Sequence, residues 1–226
     1  MPVASRPNGP PTAPTVRNPA RSRQAILDAA TKEFSEFGLG GARVDRIAKR
    51  SGVNKRLIYH YIGNKEALFL AVLEQAYANI RTAEQALHLD ELSPTDAIRK
   101  LISFTWDYYL EHPEFITLLN SENLHRAKHL KQSTMIREMT SPLIAILDHV
   151  LKRGRREGLF RAGVDPVQLY ISIAGLSYFY LSNNYTLSTI FGSDLRGAKA
   201  RAERLAHMSD LIVGFLLGDP PPLKRA

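Results

Sequence analysis

Residues 44–61, VDRIAKRSGVNKRLIYHY, restrict the fold of this chain more than any other stretch. Val44, Ile47 and Ala48 recur at helical spacing, Ser51-Gly52 breaks the pattern, and Val53 turns the chain back before Ile58 resumes it. Two short helices joined by a tight turn result, the form of a helix-turn-helix. Asn54 can cap the second helix by accepting from a backbone N–H one turn in, which places Lys55, Arg56 and Leu57 on its exposed first turn. A helix of about eight residues is roughly 12 Å long and fits a major groove about 12 Å wide.

The wider string of Phe34, Gly38, Val44, Ile47-Ala48, Gly52-Val53-Asn54, Ile58-Tyr59-His60-Tyr61, Lys65-Glu66 and Leu68 closely resembles the DNA-binding domain of the TetR family of transcriptional regulators, over roughly residues 21–69. Three positions depart from the family's usual pattern: Ala42 replaces a threonine, Asn54 a serine and Ile62 a phenylalanine. Asn54 keeps the cap. Ala42 removes an expected phosphate contact, for which Arg43 beside it offers a charged substitute.

Position and resemblance together assign the interface. Lys55 and Arg56 can donate to guanine O6 and N7, and Leu57 can touch a thymine methyl; Asn54 belongs to the same turn. Arg43, Tyr59, His60 and Lys65 match family positions that meet phosphates, whereas Tyr61 matches one that packs into the module's core.

Charge supports this placement. The chain of 226 residues carries a net charge of +8, and the whole excess lies in residues 1–65, with 12 Lys plus Arg against 4 Asp plus Glu; the remainder balances. Positive excess on a small module is the footprint of phosphate binding. With no cysteine, disulfides and thiolate metal sites are excluded, which fits a cytoplasmic protein. No apolar run approaches the 18 or so residues that span a bilayer, and the proline-rich start lacks the apolar segment of a signal peptide.

The expected architecture is all-α, with about nine helices and no strand or repeat. Residues 1–20 form a disordered tail, 21–64 the DNA-binding domain, 65–218 a helical effector-binding and dimerisation domain, and 219–226 a second tail. The first helix runs from about Ser22 to Phe37 and ends at Gly38; a long fourth helix capped by Asn64 joins the two domains as a lever. Ser93-Pro94-Thr95-Asp96 starts a fifth, Pro113 separates it from a sixth, and Ser141-Pro142 starts or kinks a seventh. The eighth, opened by Asp165-Pro166, is apolar nearly all round from Leu169 to Leu181 and needs partners on two faces. A ninth follows from about Asp194 to Leu217. The resemblance implies that helices 8 and 9 of two subunits form a four-helix homodimer interface, and a dimer on a two-fold symmetric operator supplies the surface one module lacks.

The resemblance also implies a small-molecule effector pocket. Trp106, Tyr109, Phe115, Leu119, Met135, Met139, Tyr170, Ile173 and Phe179 can line a cavity among helices 5 to 8, with Asn123, His125 or Asn183 as orienting groups. Taken singly, each apolar member is more simply read as plain core. Glu122, His125 and His129 at i, i+3 and i+7 would share a face of a continuous helix and suggest a divalent site, against which the charges of Arg126, Lys128 and Lys131 weigh. The run Lys152 to Arg156 offers either a second nucleic-acid patch or, more simply, cations that complement a helix C-terminus.

No phosphate-cradling glycine loop, nucleophile elbow or cysteine nucleophile is present, and no cofactor is implied. The expectation is a ligand-responsive repressor that binds a palindromic operator as a homodimer and is released by a small molecule. The competing readings are a non-specific nucleic-acid binder without ligand response and a metal enzyme built on Glu122, His125 and His129.

Overall fold

The computed structural model describes residues 19–218, so the two expected tails, apart from Pro19 and Ala20, lie outside the described residues. Within them the chain forms ten α-helices and no strand: α1 (Pro19–Gly41), α2 (Val44–Ser51), α3 (Lys55–Tyr61), α4 (Lys65–Gln85), α5 (Pro94–Glu111), α6 (Pro113–Leu124), α7 (Met135–Arg156), α8 (Pro166–Ser182), α9 (Asn184–Phe191) and α10 (Ala198–Leu217). The all-α expectation holds. The tenth helix is the short α9, which follows α8 after the single residue Asn183 and ends at Gly192 in the left-handed region. The expected ninth helix is therefore α10.

Local chemistry sets the boundaries. Asn54 accepts from Arg56 N, Asn64 from Ala67 N, Ser93 from Asp96 N and Asp165 from Gln168 N, four side-chain caps at the starts of α3, α4, α5 and α8. Gly52, at φ 64°, makes the turn of the helix-turn-helix possible without a Cβ clash. Gly38, expected to end the first helix, instead interrupts it: at φ 63° and ψ 176° it kinks α1, and a further turn continues to Gly41. Pro142 lies inside α7 rather than at its start.

Two hydrophobic clusters organise the packing. Ile26, Leu27, Ala30 and Phe34 of α1, Ile47 of α2, Ile58 of α3 and Leu68, Phe69, Val72 and Leu73 of α4 form the first. Ile80 of α4, Leu101 and Trp106 of α5, Phe115 of α6, Leu147 of α7, Ile173 of α8 and Met208 of α10 belong to the second. Two helices contribute to both. α4 places Leu73 in one cluster and Ile80 in the other; α6 does the same with Leu118 and Phe115. A shift of either helix is thus felt in both parts, because close-packed interiors transmit displacement.

Candidate nucleic-acid interface and effector region

α2 is held against α1 by a buried carboxylate. Glu33, fully buried, accepts from Arg43 N at 3.0 Å and Arg46 Nε at 2.6 Å, and Arg50 reaches its other oxygen at 3.6 Å while also pairing with Glu36. The sequence reading did not single out Glu33, which looks like an ordinary exposed acid between Lys32 and Phe34. Its spacing from Ala30 and Phe34 places it at the edge of the buried stripe.

On this frame α3 presents Lys55 and Arg56 to solvent, with Leu57 half-buried against the first cluster. Lys55 Nζ contacts Asp45 of α2 at 2.7 Å, and that carboxylate holds the ammonium above its ordinary range. Arg43, Tyr59 and His60 are exposed around the same surface, and Asn54 caps the helix as expected. Tyr61 packs partly buried against the first cluster. The Lys65 ammonium donates to Ala42 O at 3.2 Å and Gly40 O at 3.5 Å, the open carbonyl end of α1. Ala42 is itself buried, so its methyl packs inside the module.

The effector-region candidates divide. Trp106, Tyr109, Phe115 and Ile173 are buried in the second cluster, with Leu119 and Tyr170 packed on it. Tyr109 and Phe115 stack at 5.7 Å between ring centroids. Met139 is half-buried on α7 and Met135 exposed at its start. Phe179 stands apart, exposed on the outer side of α8; the amides of Asn123 and Asn183 donate back to Leu119 O and Phe179 O of their own helices.

Glu122, His125 and His129 do not share a helix face. α6 ends at Leu124, and Arg126 and Ala127 adopt φ of 56° and 57°, turning the chain back on itself. Glu122, buried, accepts from His129 N at 2.8 Å, Leu130 N at 2.9 Å and His129 Nδ1 at 2.7 Å, and so closes the turn. His129 packs edge-on against Phe69 at 5.1 Å, Lys128 pairs with Glu66 at 3.0 Å and Ser133 donates to Glu74 at 2.7 Å. Among the described residues, no group of three such side chains is arranged to hold a metal ion. The segment from 125 to 133 straps the end of α6 onto α4.

Sequence reasoning also missed Arg81 and Glu84, which resemble a surface pair at i, i+3. Both are buried; Arg81 Nη1 donates to Glu84 Oε2, and Arg81 Nη2 donates to Tyr170 Oη at 2.7 Å. Burial pushes the Glu84 carboxyl up to about 7 against the pull of Arg81. Burial likewise pushes the Tyr108 hydroxyl up to about 12 and the Tyr109 hydroxyl higher still.

A capped recognition helix with an exposed basic first turn, on a helix-turn-helix locked by a buried carboxylate, defines a DNA-binding regulator. Residues 26–72 match the family described as bacterial regulatory proteins, tetR family, and residues 94–212 match the tetracyclin repressor-like C-terminal domain. The chain belongs to the TetR family of bacterial transcriptional regulators. It is 42% identical over 191 residues to the HTH-type transcriptional repressor NicS of Pseudomonas putida, covering 84% of this chain and 90% of that one. Among solved structures, the transcriptional regulator SCO4942 of Streptomyces coelicolor superposes with a TM-score of 0.64 at 25% identity, over 86% of this chain and 98% of that one. AibR, solved with isovaleryl coenzyme A and operator DNA, has the same fold, with a TM-score of 0.62 at 20% identity over 87% and 98%. Among the described residues, no helix is long and apolar enough to cross a membrane.

Proposed function

We propose that the protein is a homodimeric repressor that binds an inverted-repeat operator and leaves it when a small molecule enters the helical domain. The observation that carries this reading is the sharing of α4 and α6 between the two hydrophobic clusters, reinforced by the Glu122 strap. Helix α4 thus links the recognition helix to the interior of the second domain. NicS is named a repressor, and AibR was solved with both an acyl-coenzyme A and operator DNA, which supports the same two-state logic here.

Dimerisation uses the outer faces of α8 and α10. Val167, Ile171 and Phe179 on α8 fall four or eight residues apart, with Gly175 between them; Leu211 and Phe215 on α10 flank Gly214, and all five apolar side chains are exposed. A Cβ on either glycine would meet nothing within 4 Å, so a partner helix can approach the backbone closely. An exposed stripe of this kind on two adjacent helices is the mark of an interface. These are the helices assigned by family resemblance, with α10 taking the ninth's place.

In the bound state the two recognition helices enter successive major grooves about 34–36 Å apart; ligand displaces α4 and spoils that spacing. A ligand must favour the released state by about 10⁴-fold to turn a 99:1 preference into 1:99. Such a regulator acts where the chromosome is, in the cytoplasm. The test is to isolate the genomic fragment retained by the protein and to add metabolites one at a time: release of that fragment by one or a few compounds fits the reading, and uniform retention with all of them contradicts it.

A further inference from the structure

A cleft of about 450 Å³ opens between α5, α6, α8, α9 and the start of α10. Of the residues the sequence offers for an effector pocket, only Tyr109 is among its described lining. Pro113, Ile116 and Leu181 make its apolar side, together with the rings of Tyr109 and Tyr185. Arg196 and Arg201 supply its charge, and no acid lines it among the described residues. A volume of this size holds a small molecule, and apolar walls with a few polar groups are the usual form of such a site.

The two guanidinium groups differ. Arg196 is half exposed, lies 3.6 Å from the Asp194 carboxylate and sits 4.8 Å from the ring centroid of Tyr185, so its charge is already answered. Arg201 is half-buried in the first turn of α10, and its side chain has neither a hydrogen bond nor a carboxylate partner among the described residues; its Nε is closed to solvent. A cation there also meets the positive end of α10, whose first turn carries no acid and whose start has no side-chain cap. A half-buried charge without a counter-charge is costly, and an unsatisfied one in a cleft wall points to a partner from outside the chain.

We infer that this cleft binds a small organic carboxylate, with Arg201 holding the carboxylate and the aromatic and apolar walls holding its body. A planar guanidinium matches a carboxylate through two parallel hydrogen bonds. The head group carries one charge rather than the two of a phosphate, because Asp194 already engages Arg196 and one cation is left to neutralise. Charge-assisted bonds of this kind give the carboxylate roughly a tenfold or greater preference over the amide of the same shape. On the ligand-released reading above, on which this last step rests, the carboxylate is the effector. It bridges α6, which belongs to both hydrophobic clusters, to α8 and α10, and Asn120 Nδ2 donating to Ser182 Oγ at 3.1 Å already joins α6 to the end of α8.

The experiment titrates the full chain with benzoate, phenylacetate and hexanoate, with the amide of each, and with phenyl phosphate, at matched ionic strength and about pH 7, where the carboxylates are ionised. Arg201→Met removes the charge, Arg201→Lys keeps it, and Thr117→Phe fills the cleft from α6 without touching either arginine. At least one carboxylate is expected to bind roughly tenfold more tightly than its amide and than phenyl phosphate. Arg201→Met loses that preference, Arg201→Lys keeps part of it, and Thr117→Phe abolishes binding, so misfolding of one variant leaves the test standing. Amides bound as tightly as carboxylates, no carboxylate bound, a preference for phenyl phosphate, or a carboxylate preference unchanged in Arg201→Met and Thr117→Phe overturns the inference. Release of retained DNA is scored separately. A carboxylate bound in the cleft while no compound of any kind releases DNA leaves the site standing and sinks the ligand-released reading. Release by neutral or cationic compounds alone, unaffected by Arg201→Met, leaves that reading standing and sinks the effector assignment.

Discussion

Replacing Glu122 tests how the second domain is strapped to the DNA-binding module. Its carboxylate accepts three hydrogen bonds in a buried setting, two from the backbone N–H groups of His129 and Leu130 and one from the His129 ring. Glu122→Ala leaves those donors without partners, at roughly 1–3 kcal/mol each, so about 3–5 kcal/mol is expected after partial relaxation. Glu122→Gln keeps an acceptor for the two backbone groups and forfeits only the charged contact to the ring, at about 1–2 kcal/mol. For a chain of this size that separates the variants by several degrees in melting temperature, at about 2–4 °C per kcal/mol. Chemical denaturation at fixed protein concentration measures the difference. Hydrogen exchange should locate it in residues 125–133 and the first half of α4, which Lys128, His129 and Ser133 contact. Equal losses for the two variants, or protection of 125–133 unchanged by Glu122→Ala, would refute the idea that this carboxylate closes the strap.

Three further outcomes follow from the same geometry. Burial raises Glu84 from 4.5 to about 7, so the folded state binds more protons across that window and stability falls as pH rises through it; the loss is about 3 kcal/mol in all, and Glu84→Gln should flatten this slope relative to wild type in melts between pH 4.5 and 7.5. Phe179→Asp combined with Phe215→Asp places charges on the exposed α8 and α10 faces and should convert the dimer to monomer by light scattering, an unchanged mass ruling these faces out. Arg56→Ala should relax base preference at one or two operator positions, whereas Lys65→Ala should weaken all sequences alike and lower the salt slope by about one; a reversal of these patterns in binding titrations would exchange their roles.

The DNA-binding half was readable because local signals determine it. Asn54, Gly52 and the spacing of Val44, Ile47 and Ile58 dictate caps, turn and buried face without help from distant residues. The second half was readable only as helices. Arg81 and Glu84 sit at the spacing of an ordinary surface pair, and only the packing of distant helices over α4, with Tyr170 of α8 bonded to Arg81, buries them. Glu122 and His129 suggested a metal because their spacing presumed a continuous helix; two consecutive residues at positive φ, Arg126 and Ala127, broke that register without a glycine to announce it. The short α9 escaped notice because its polar run Asn183-Asn184 reads as a loop, although Asn183 O accepts from Leu187 N to open the helix.

Selection from a random pool of DNA duplexes at about physiological salt, with the bound fraction recovered over several rounds and sequenced, tests the central claim most directly. A dimeric regulator with two recognition helices one helical turn apart enriches an inverted repeat whose half-sites are centred about 10 base pairs apart or a multiple of that. Retention of DNA with no enriched sequence would contradict specific recognition, and would turn the basic N-terminal module into a non-specific binder.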